Sequence, residues 1–276
     1  MFICSHSIYS DSVNNPQDDL STKDFLALKD KFCLTFDDGY RDLYLIKDKI
    51  DNLNNPIIIF ICTSFIENHC SIWWFELYDY IFNPENDNVS YYYDGIEYFV
   101  DFESQDSRKN IFIKLSKIFK KLSKVKQELL LTDIINSSDR KNYSSKFLTW
   151  DMIINLSKLK NVFIGSHTLS HPNLVFEEDN IVKEELSLSK KIIEEKINLE
   201  CKNFAIPYGG KDSFNHEILN KIFASGYNNV FTTVPSFKKE NLSKKIFGRQ
   251  NSKVNRNNYF ILKSKFFLKS FINYFS

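Results

Sequence analysis

Short apolar runs alternate with amphipathic segments of helical period along most of the chain, and this alternation limits the fold more than any other feature. The runs that predict strands cover residues 32–36, 57–63, 162–164, 203–206 and 229–232. The run at 57–63 is continuously apolar, which is typical of parallel strands that are covered on both faces. Repeated strands and helices with short connections predict an α/β barrel or a doubly wound parallel sheet.

Two stretches depart from this alternation. Residues 83–108 are rich in Asn, Asp and Tyr and predict a small hairpin or an irregular excursion, and residues 109–136 predict a helix with lysines on one side. We interpret residues 83–146 as an insertion within one domain that spans residues 1–276. Residues 256–275 predict a basic, aromatic C-terminal helix, which either packs on the domain or makes a peripheral contact with a membrane.

Charge, length and cysteine content exclude several classes of protein. The chain has 276 residues, 43% of them hydrophobic, and its 36 Lys and Arg nearly balance its 35 Asp and Glu. This balance argues against general nucleic-acid binding. The first twenty residues lack the features of a secretory signal, and the longest apolar run is too short to cross a bilayer, so we expect a cytoplasmic location. The five cysteines, without a CxxC pair, predict reduced thiols.

Two adjacent carboxylates, Asp37 and Asp38, follow the predicted strand at 32–36. Placing two negative charges together is unfavourable unless a positive charge lies beside them. A divalent metal ion would supply that charge, with one aspartate as its ligand and the other free to act as a base. The alternative is a helix N-cap with a second acidic residue in the first turn.

Two histidines, His167 and His171, follow the predicted strand at 162–164. Residues four apart on one helical turn face the same way, a spacing that suits one metal ion. With an aspartate they form a nitrogen and oxygen ligand set that leaves coordination positions open, whereas structural zinc sites usually include cysteine. Such a site beside a free carboxylate is typical of metal-assisted hydrolysis. The alternative is a capped turn with two polar histidines.

A third cluster, Ala-Ile-Pro-Tyr-Gly-Gly at residues 205–210, ends the predicted strand at 203–206. Such a loop can present backbone N–H groups to an anion or a developing oxyanion, although by itself it is an ordinary turn. The pair Trp73 and Trp74 either forms a platform for a sugar or packs in the core.

The three clusters, in this order and each after a strand, resemble the motifs of the polysaccharide deacetylases of carbohydrate esterase family four. The resemblance covers roughly residues 30–251, and its motif segments are 35–39, 167–171 and 204–208. Softer similarities are Trp73-Trp74, Thr149-Trp150 and Gly226-Tyr227. The fold that the resemblance implies is a distorted (β/α)7 barrel.

The resemblance also implies roles for the residues of these motifs. Asp38, His167 and His171 would bind a divalent metal, usually Zn²⁺, and Asp37 would be the general base that activates water. The backbone N–H of Tyr208 would bind the oxyanion. The residues expected to contact the substrate are Trp74, Pro207, Tyr208 and Arg249.

The sequence departs from the family pattern where a general acid is needed. No Asp follows Asp212 and no His follows His216, although many relatives have a late Asp and a late His. The amine leaving group still needs a proton. We expect His6 to supply it, because the segment around His6 resembles an early segment of the poly-N-acetylglucosamine deacetylases. The alternative is an exposed histidine near the N-terminus.

The function implied is hydrolysis of the amide bond of an N-acetylated sugar or polysaccharide, a reaction of carbon–nitrogen bonds outside peptides. The partner would be an N-acetylated glycan or a precursor of a surface polysaccharide. Two alternatives remain open. One is a carbohydrate-binding scaffold of the same fold without catalysis, which the missing late Asp and His motivate. The other is a deacylase of a non-sugar amide or of an O-acetyl ester.

Overall fold

Seven parallel strands close into a barrel in the computed structural model, which describes residues 2–6, 8–9, 20–50, 53–136, 139–234 and 245–251. The strands in chain order are β1 (Phe2–Ser5), β2 (Ile8–Tyr9), β3 (Leu20–Ser21), β4 (Cys33–Phe36), β5 (Ile57–Ile61), β6 (Asn88–Tyr93), β7 (Ile96–Asp101), β8 (Val162–Ser166), β9 (Asn203–Ala205), β10 (Asn229–Thr232) and β11 (Ile246–Asn251). Around the barrel they follow the order β1-β11-β10-β9-β8-β5-β4. The predicted (β/α)7 barrel is therefore confirmed.

Helices surround the barrel and cover its outer face. They are α1 (Thr22–Leu28), α2 (Asp42–Leu45), α3 (Lys47–Ile50), α4 (Thr63–Ile66), α5 (Trp73–Phe82), α6 (Gln105–Phe119), α7 (Lys124–Ile134), α8 (Trp150–Ser157), α9 (Asp179–Ile197) and α10 (His216–Ala224). No helix among the described residues has both the length and the apolar composition that crossing a bilayer requires.

The strand side chains divide between two cores because they alternate across the barrel wall. The interior of the barrel is filled by Phe2, Cys33, Ile58, Phe60, Ala205, Phe231 and Phe247. The alternate residues, such as Ile57, Ile59 and Ile61, pack outward against the helices. Every residue of β5 is buried, which agrees with its continuously apolar sequence.

A second, separate core forms between β5 and β8, which pair directly in the barrel. It joins α5, the antiparallel hairpin β6–β7, α6 and α7. Its buried residues are Trp73, Leu77, Ile81, Val89, Tyr91, Phe102, Ile111, Leu115, Phe119, Leu130, Leu131, Ile134 and Ile135. We call residues 73–135 the added unit. Of the two forms expected for residues 83–108, the structure has the hairpin.

Three expectations about the elements need correction or fall outside the structure. The single helix expected over 109–136 is wrong: α6 and α7 are separate helices, because Ser123 caps α7 by accepting a hydrogen bond from the Lys126 N–H. Strands β1 and β11 were not expected. The helix expected over 256–275, with its membrane contact, lies outside the described residues.

Candidate metal centre

A cavity of about 420 Å³ lies between the barrel rim and the added unit. On the barrel side it is lined by residues at or beyond the carboxyl ends of β1, β4, β8, β9 and β10, where α/β barrels place their active sites. The lining residues are Cys4, His6, Asp37, Asp38, His167, His171, Tyr208 and Thr233 from the barrel, and Trp73, Trp74, Phe112, Ser116 and Lys120 from the added unit.

Three buried side chains converge on one point in this cavity. The Asp38 Oδ1 atom lies 3.6 Å from His167 Nε2 and 3.5 Å from His171 Nε2. Asp38 Oδ1 accepts no hydrogen bond from any of the described residues. A tetrahedral ion with bonds of about 2.0–2.1 Å separates its ligand atoms by roughly 3.3 Å. The unsatisfied oxygen, the spacing and the donor types therefore fit one divalent ion held by Asp38, His167 and His171.

The ring of His167 is oriented by a hydrogen bond at Nδ1, the ring nitrogen that faces away from Asp38. Its Nδ1 atom lies 2.8 Å from the carbonyl oxygen of Ala205. Because a carbonyl only accepts, Nδ1 carries a proton, and Nε2 faces Asp38. Metal-binding histidines in proteins are commonly oriented by such a bond.

His171 belongs to a loop, so the expectation that both histidines share a helical turn is wrong. Thr168 and His171 both have positive φ, at 72° and 61°. The Thr168 Oγ1 atom accepts a hydrogen bond of 3.0 Å from the His171 N–H and stabilises this conformation. Burial, reinforced by the charge of His167, lowers the pKa of His171 well below its usual value. His171 is thus neutral, which is the form that binds a metal.

The loop between the histidines is held by Glu185, a residue that sequence reasoning missed. Glu185 Oε2 accepts hydrogen bonds of 2.8 and 3.0 Å from the N–H groups of Leu169 and Ser170. Its Oε1 accepts one of 2.6 Å from the Ser170 hydroxyl. Burial raises the pKa of Glu185, and these hydrogen bonds oppose that rise. The available signal was a carboxylate on the face of α9 that also buries Val182 and Leu186.

Asp37 lies beside the three ligands and is paired with Arg249. The guanidinium donates from Nη1 to Asp37 Oδ1 at 2.6 Å and from Nη2 to Oδ2 at 2.8 Å, and the Cys4 thiol donates to Oδ2 at 3.4 Å. Burial alone would raise the pKa of Asp37, but the charges of Arg249 and His167 hold it well below its usual range. Asp37 is therefore ionised, with Oδ2 3.9 Å from His167 Nε2.

The expected substrate residues divide into two groups by position. Tyr208 and Trp74 line the cavity, and their rings contact His171 at centroid distances of 4.7 and 5.3 Å. Tyr208 has a φ of 61°, and its N–H donates to no acceptor among the described residues. Pro207 is buried and is not part of the lining. Arg249 also lies outside the lining, because its side chain is turned inward to Asp37 and Thr35.

His6 follows β1 and reaches the cavity. Its side chain is part of the lining, and its buried Nδ1 has no hydrogen-bond partner among the described residues. The structure thus brings His6 to the same cavity as Asp37, Asp38, His167 and His171, although these residues are far apart in sequence.

Comparison with known proteins matches part of this chain to one family. Residues 113–230, which include both histidines and the loop of Tyr208, match a family model described as polysaccharide deacetylase. The resemblance to the polysaccharide deacetylases is therefore confirmed over residues 113–230. No curated protein sequence matches the chain.

Solved structures of deacetylases share the fold of this chain. A de-N-acetylase from Aggregatibacter actinomycetemcomitans is 14% identical with a TM-score of 0.53, over 94% of this chain and 98% of that one. The Streptococcus pyogenes deacetylase PplD, solved with acetate, is 14% identical with a TM-score of 0.52, over 94% and 96%. A polysaccharide deacetylase from Bacillus cereus is 14% identical with a TM-score of 0.53, over 94% and 67%. At these identities the likeness shows the fold.

Proposed function

We propose that this protein is a metal-dependent hydrolase that removes N-acetyl groups from an N-acetylated sugar or polysaccharide. The observation that carries the proposal is the convergence of Asp38, His167 and His171 beside the ionised Asp37. The ligand set leaves positions open to water and to a carbonyl oxygen, as catalytic metal sites do. The family match supports an acyl-amide substrate.

Asp38, His167 and His171 would hold the ion, and Zn²⁺ is the ion that we expect. When bound, such an ion polarises the acetamide carbonyl and lowers the pKa of water. The orientation of His167 by Ala205 and the neutral state of His171 prepare both rings for this role.

The residues around the ligands would carry the proton transfers. Asp37 takes a proton from water as the oxygen of that water adds to the carbonyl carbon. The Tyr208 N–H donates to the oxyanion that forms. As the carbon–nitrogen bond breaks, His6 gives a proton to the departing amine. The low pKa of Asp37 keeps it ready to accept a proton, and Arg249 fixes its direction.

The shape of the cavity favours a sugar. Trp73, Trp74 and Tyr208 place aromatic rings on its wall, and aromatic faces pack well against the apolar face of a pyranose. The volume of about 420 Å³ lies in the range of small-molecule sites and would admit one sugar residue with its acetamido group.

The test is acetate release from an oligosaccharide of N-acetylglucosamine, with Zn²⁺ supplied. We expect the wild type to release acetate and Asp37→Asn to be at least 100-fold slower, since general bases contribute about 10²–10⁴-fold. Asp30→Asn is the matched control, because Asp30 is exposed and precedes β4 at the opposite end of the barrel. Circular dichroism shows whether each variant is folded.

Three results would overturn the proposal. Binding of the oligosaccharide without acetate release would favour the carbohydrate-binding scaffold. Release from an O-acetylated sugar alone would favour an esterase. An unchanged rate in Asp37→Asn would remove the general base from the mechanism.

A further inference from the structure

One helical segment among the described residues carries a large excess of positive charge. Residues 105–127 contain eight Lys and Arg and one acidic residue, a net charge of +7, whereas the whole chain carries +1. We call residues 105–127 the basic segment. It comprises α6 and the start of α7. Its exposed lysines are Lys109, Lys114, Lys117, Lys120, Lys121 and Lys126.

The basic segment forms one wall of the catalytic cavity. Phe112, Ser116 and Lys120 line the cavity, and their spacing of four residues places them along one stripe of the helix. Lys109, three residues before Phe112, lies on the same stripe. Lys117 lies one residue beyond Ser116, on the neighbouring exposed face. The lysines therefore flank the part of α6 that faces the substrate.

Several lysines of the basic segment have no acidic partner in the part of the chain that the structure describes, whereas some lysines elsewhere do. Among the described residues, Lys109, Lys117, Lys121 and Lys126 form no ion pair with a carboxylate. In contrast, Lys190 pairs with Glu194 at 2.7 Å. Like charges three residues apart on a helix, such as Lys114 and Lys117 of α6, repel each other. An anion bound along this surface would relieve the repulsion.

We propose that the basic segment binds anionic groups of the substrate, so that the natural glycan is an N-acetylated polysaccharide that also carries carboxylate or phosphate groups. This inference rests on the proposed function. The acetamido sugar occupies the cavity, and its neighbours along the glycan chain extend over the basic segment, where Lys109, Lys117 and Lys121 contact their negative charges. A negative glycan would also be attracted over a distance comparable with the Debye length, about 8–10 Å.

The test compares two probes that differ in charge. One is an oligosaccharide of N-acetylglucosamine, and the other is an equally long oligosaccharide of N-acetylglucosamine alternating with glucuronic acid. The variant replaces Lys109, Lys117 and Lys121 by Gln. The control replaces Lys31, Lys158 and Lys160 by Gln, which removes the same charge from exposed positions that precede β4 and β8 at the opposite end of the barrel.

Calorimetry with the Zn²⁺-loaded protein gives the affinities for both probes. We expect the wild type to bind the anionic oligosaccharide about tenfold more tightly than the neutral one, since three exposed charge contacts each contribute a few-fold. The variant should lose this preference, and the control should retain it. Raising the salt concentration should weaken only the anionic complex.

Equal affinity for the two probes, or equal weakening by the variant and the control, would overturn the inference. Tighter binding to phosphatidylserine vesicles than to the anionic oligosaccharide would also overturn it and would assign the surface to a membrane. Acetate release separates this result from the proposed function. If acetate is released but the two probes bind with equal affinity, only this inference fails and the proposed function stands. If the anionic probe binds more tightly but neither probe releases acetate, only the proposed function is contradicted.

Discussion

Arg249 binds Asp37 through two parallel hydrogen bonds of 2.6 and 2.8 Å, in an interior where the side chains are 0% and 4% exposed. The two residues are brought together by barrel closure, since β1 pairs with β4 on one side and with β11 on the other. The arrangement fixes the carboxylate that we propose as the general base. It also makes the folding of the barrel depend on a buried charge pair.

Replacing Arg249 by Met would leave Asp37 buried without its partner. Loss of one member of a buried ion pair costs about 3–5 kcal/mol. We therefore expect Arg249→Met and Asp37→Asn each to lower the free energy of unfolding by about that amount, and the double variant to lose much less than the sum. Urea denaturation of the two single variants and the double variant measures this coupling. If the double variant lost as much unfolding free energy as the two single variants together, the two side chains would not stabilise each other.

Removal of Glu185 should loosen the loop that carries His171. Glu185→Ala leaves two backbone N–H groups and the Ser170 hydroxyl without their acceptor. At about 1–3 kcal/mol for each unsatisfied buried group, we expect a loss of roughly 3 kcal/mol and weaker metal binding. Glu185→Gln keeps an acceptor and a donor in place and should bind metal nearly as well as the wild type. Similar metal affinity in the wild type and in the Ala variant would contradict this role.

The raised pKa of Glu185 also leads us to expect that the stability of the protein depends on pH. Because the pKa of Glu185 is raised in the folded state, its favourable contribution is complete below the unfolded pKa of about 4.3 and is lost as the pH rises through the folded pKa. Glu185→Gln has no such loss. The unfolding free energy of the Gln variant minus that of the wild type should therefore increase from pH 4 to pH 7. A constant difference over that interval would mean that burial does not perturb Glu185.

Two adjacent glycines after Tyr208 should respond differently to alanine. Gly209 has a φ of 60°, and an added Cβ would lie 2.8 Å from the Thr233 backbone nitrogen. Gly210 meets only Ser213 Oγ at 4.0 Å. We expect Gly209→Ala to destabilise the protein by about 1–3 kcal/mol and Gly210→Ala to change its stability by less than about 0.5 kcal/mol. Thermal unfolding of both variants decides this, and equal melting temperatures would be the opposing result.

Much of the barrel could be predicted because five of its strands are local apolar patterns. The predicted ranges at 32–36, 57–63, 162–164, 203–206 and 229–232 agree with the observed strands within two residues at each end. Strand β11 could not be recognised, because Ile-Phe-Gly-Arg-Gln-Asn breaks the apolar pattern. The charge of its Arg249 is balanced by Asp37, a partner 212 residues away.

The residue types of the candidate site could be predicted from the sequence. The hydrogen bonds that hold those residues in position could not. Adjacent aspartates and paired histidines are visible in the sequence, and their order resembles a known family. The support of His171 by Glu185 depends on a tertiary contact that no local period encodes. The helical turn expected for the histidines failed for a related reason, since hydrogen bonds with Thr168 and Glu185 hold a loop there.

The central claim is that Asp38, His167 and His171 bind one catalytic metal ion. The most direct test titrates Zn²⁺ into metal-free wild type and His171→Ala by calorimetry, with His69→Ala as a control because His69 is exposed and does not line the cavity. We expect about one ion per chain in the wild type and in the control, and loss of that site in His171→Ala. A wild type that binds no divalent ion, or a His171→Ala variant that binds it equally well, would contradict the account.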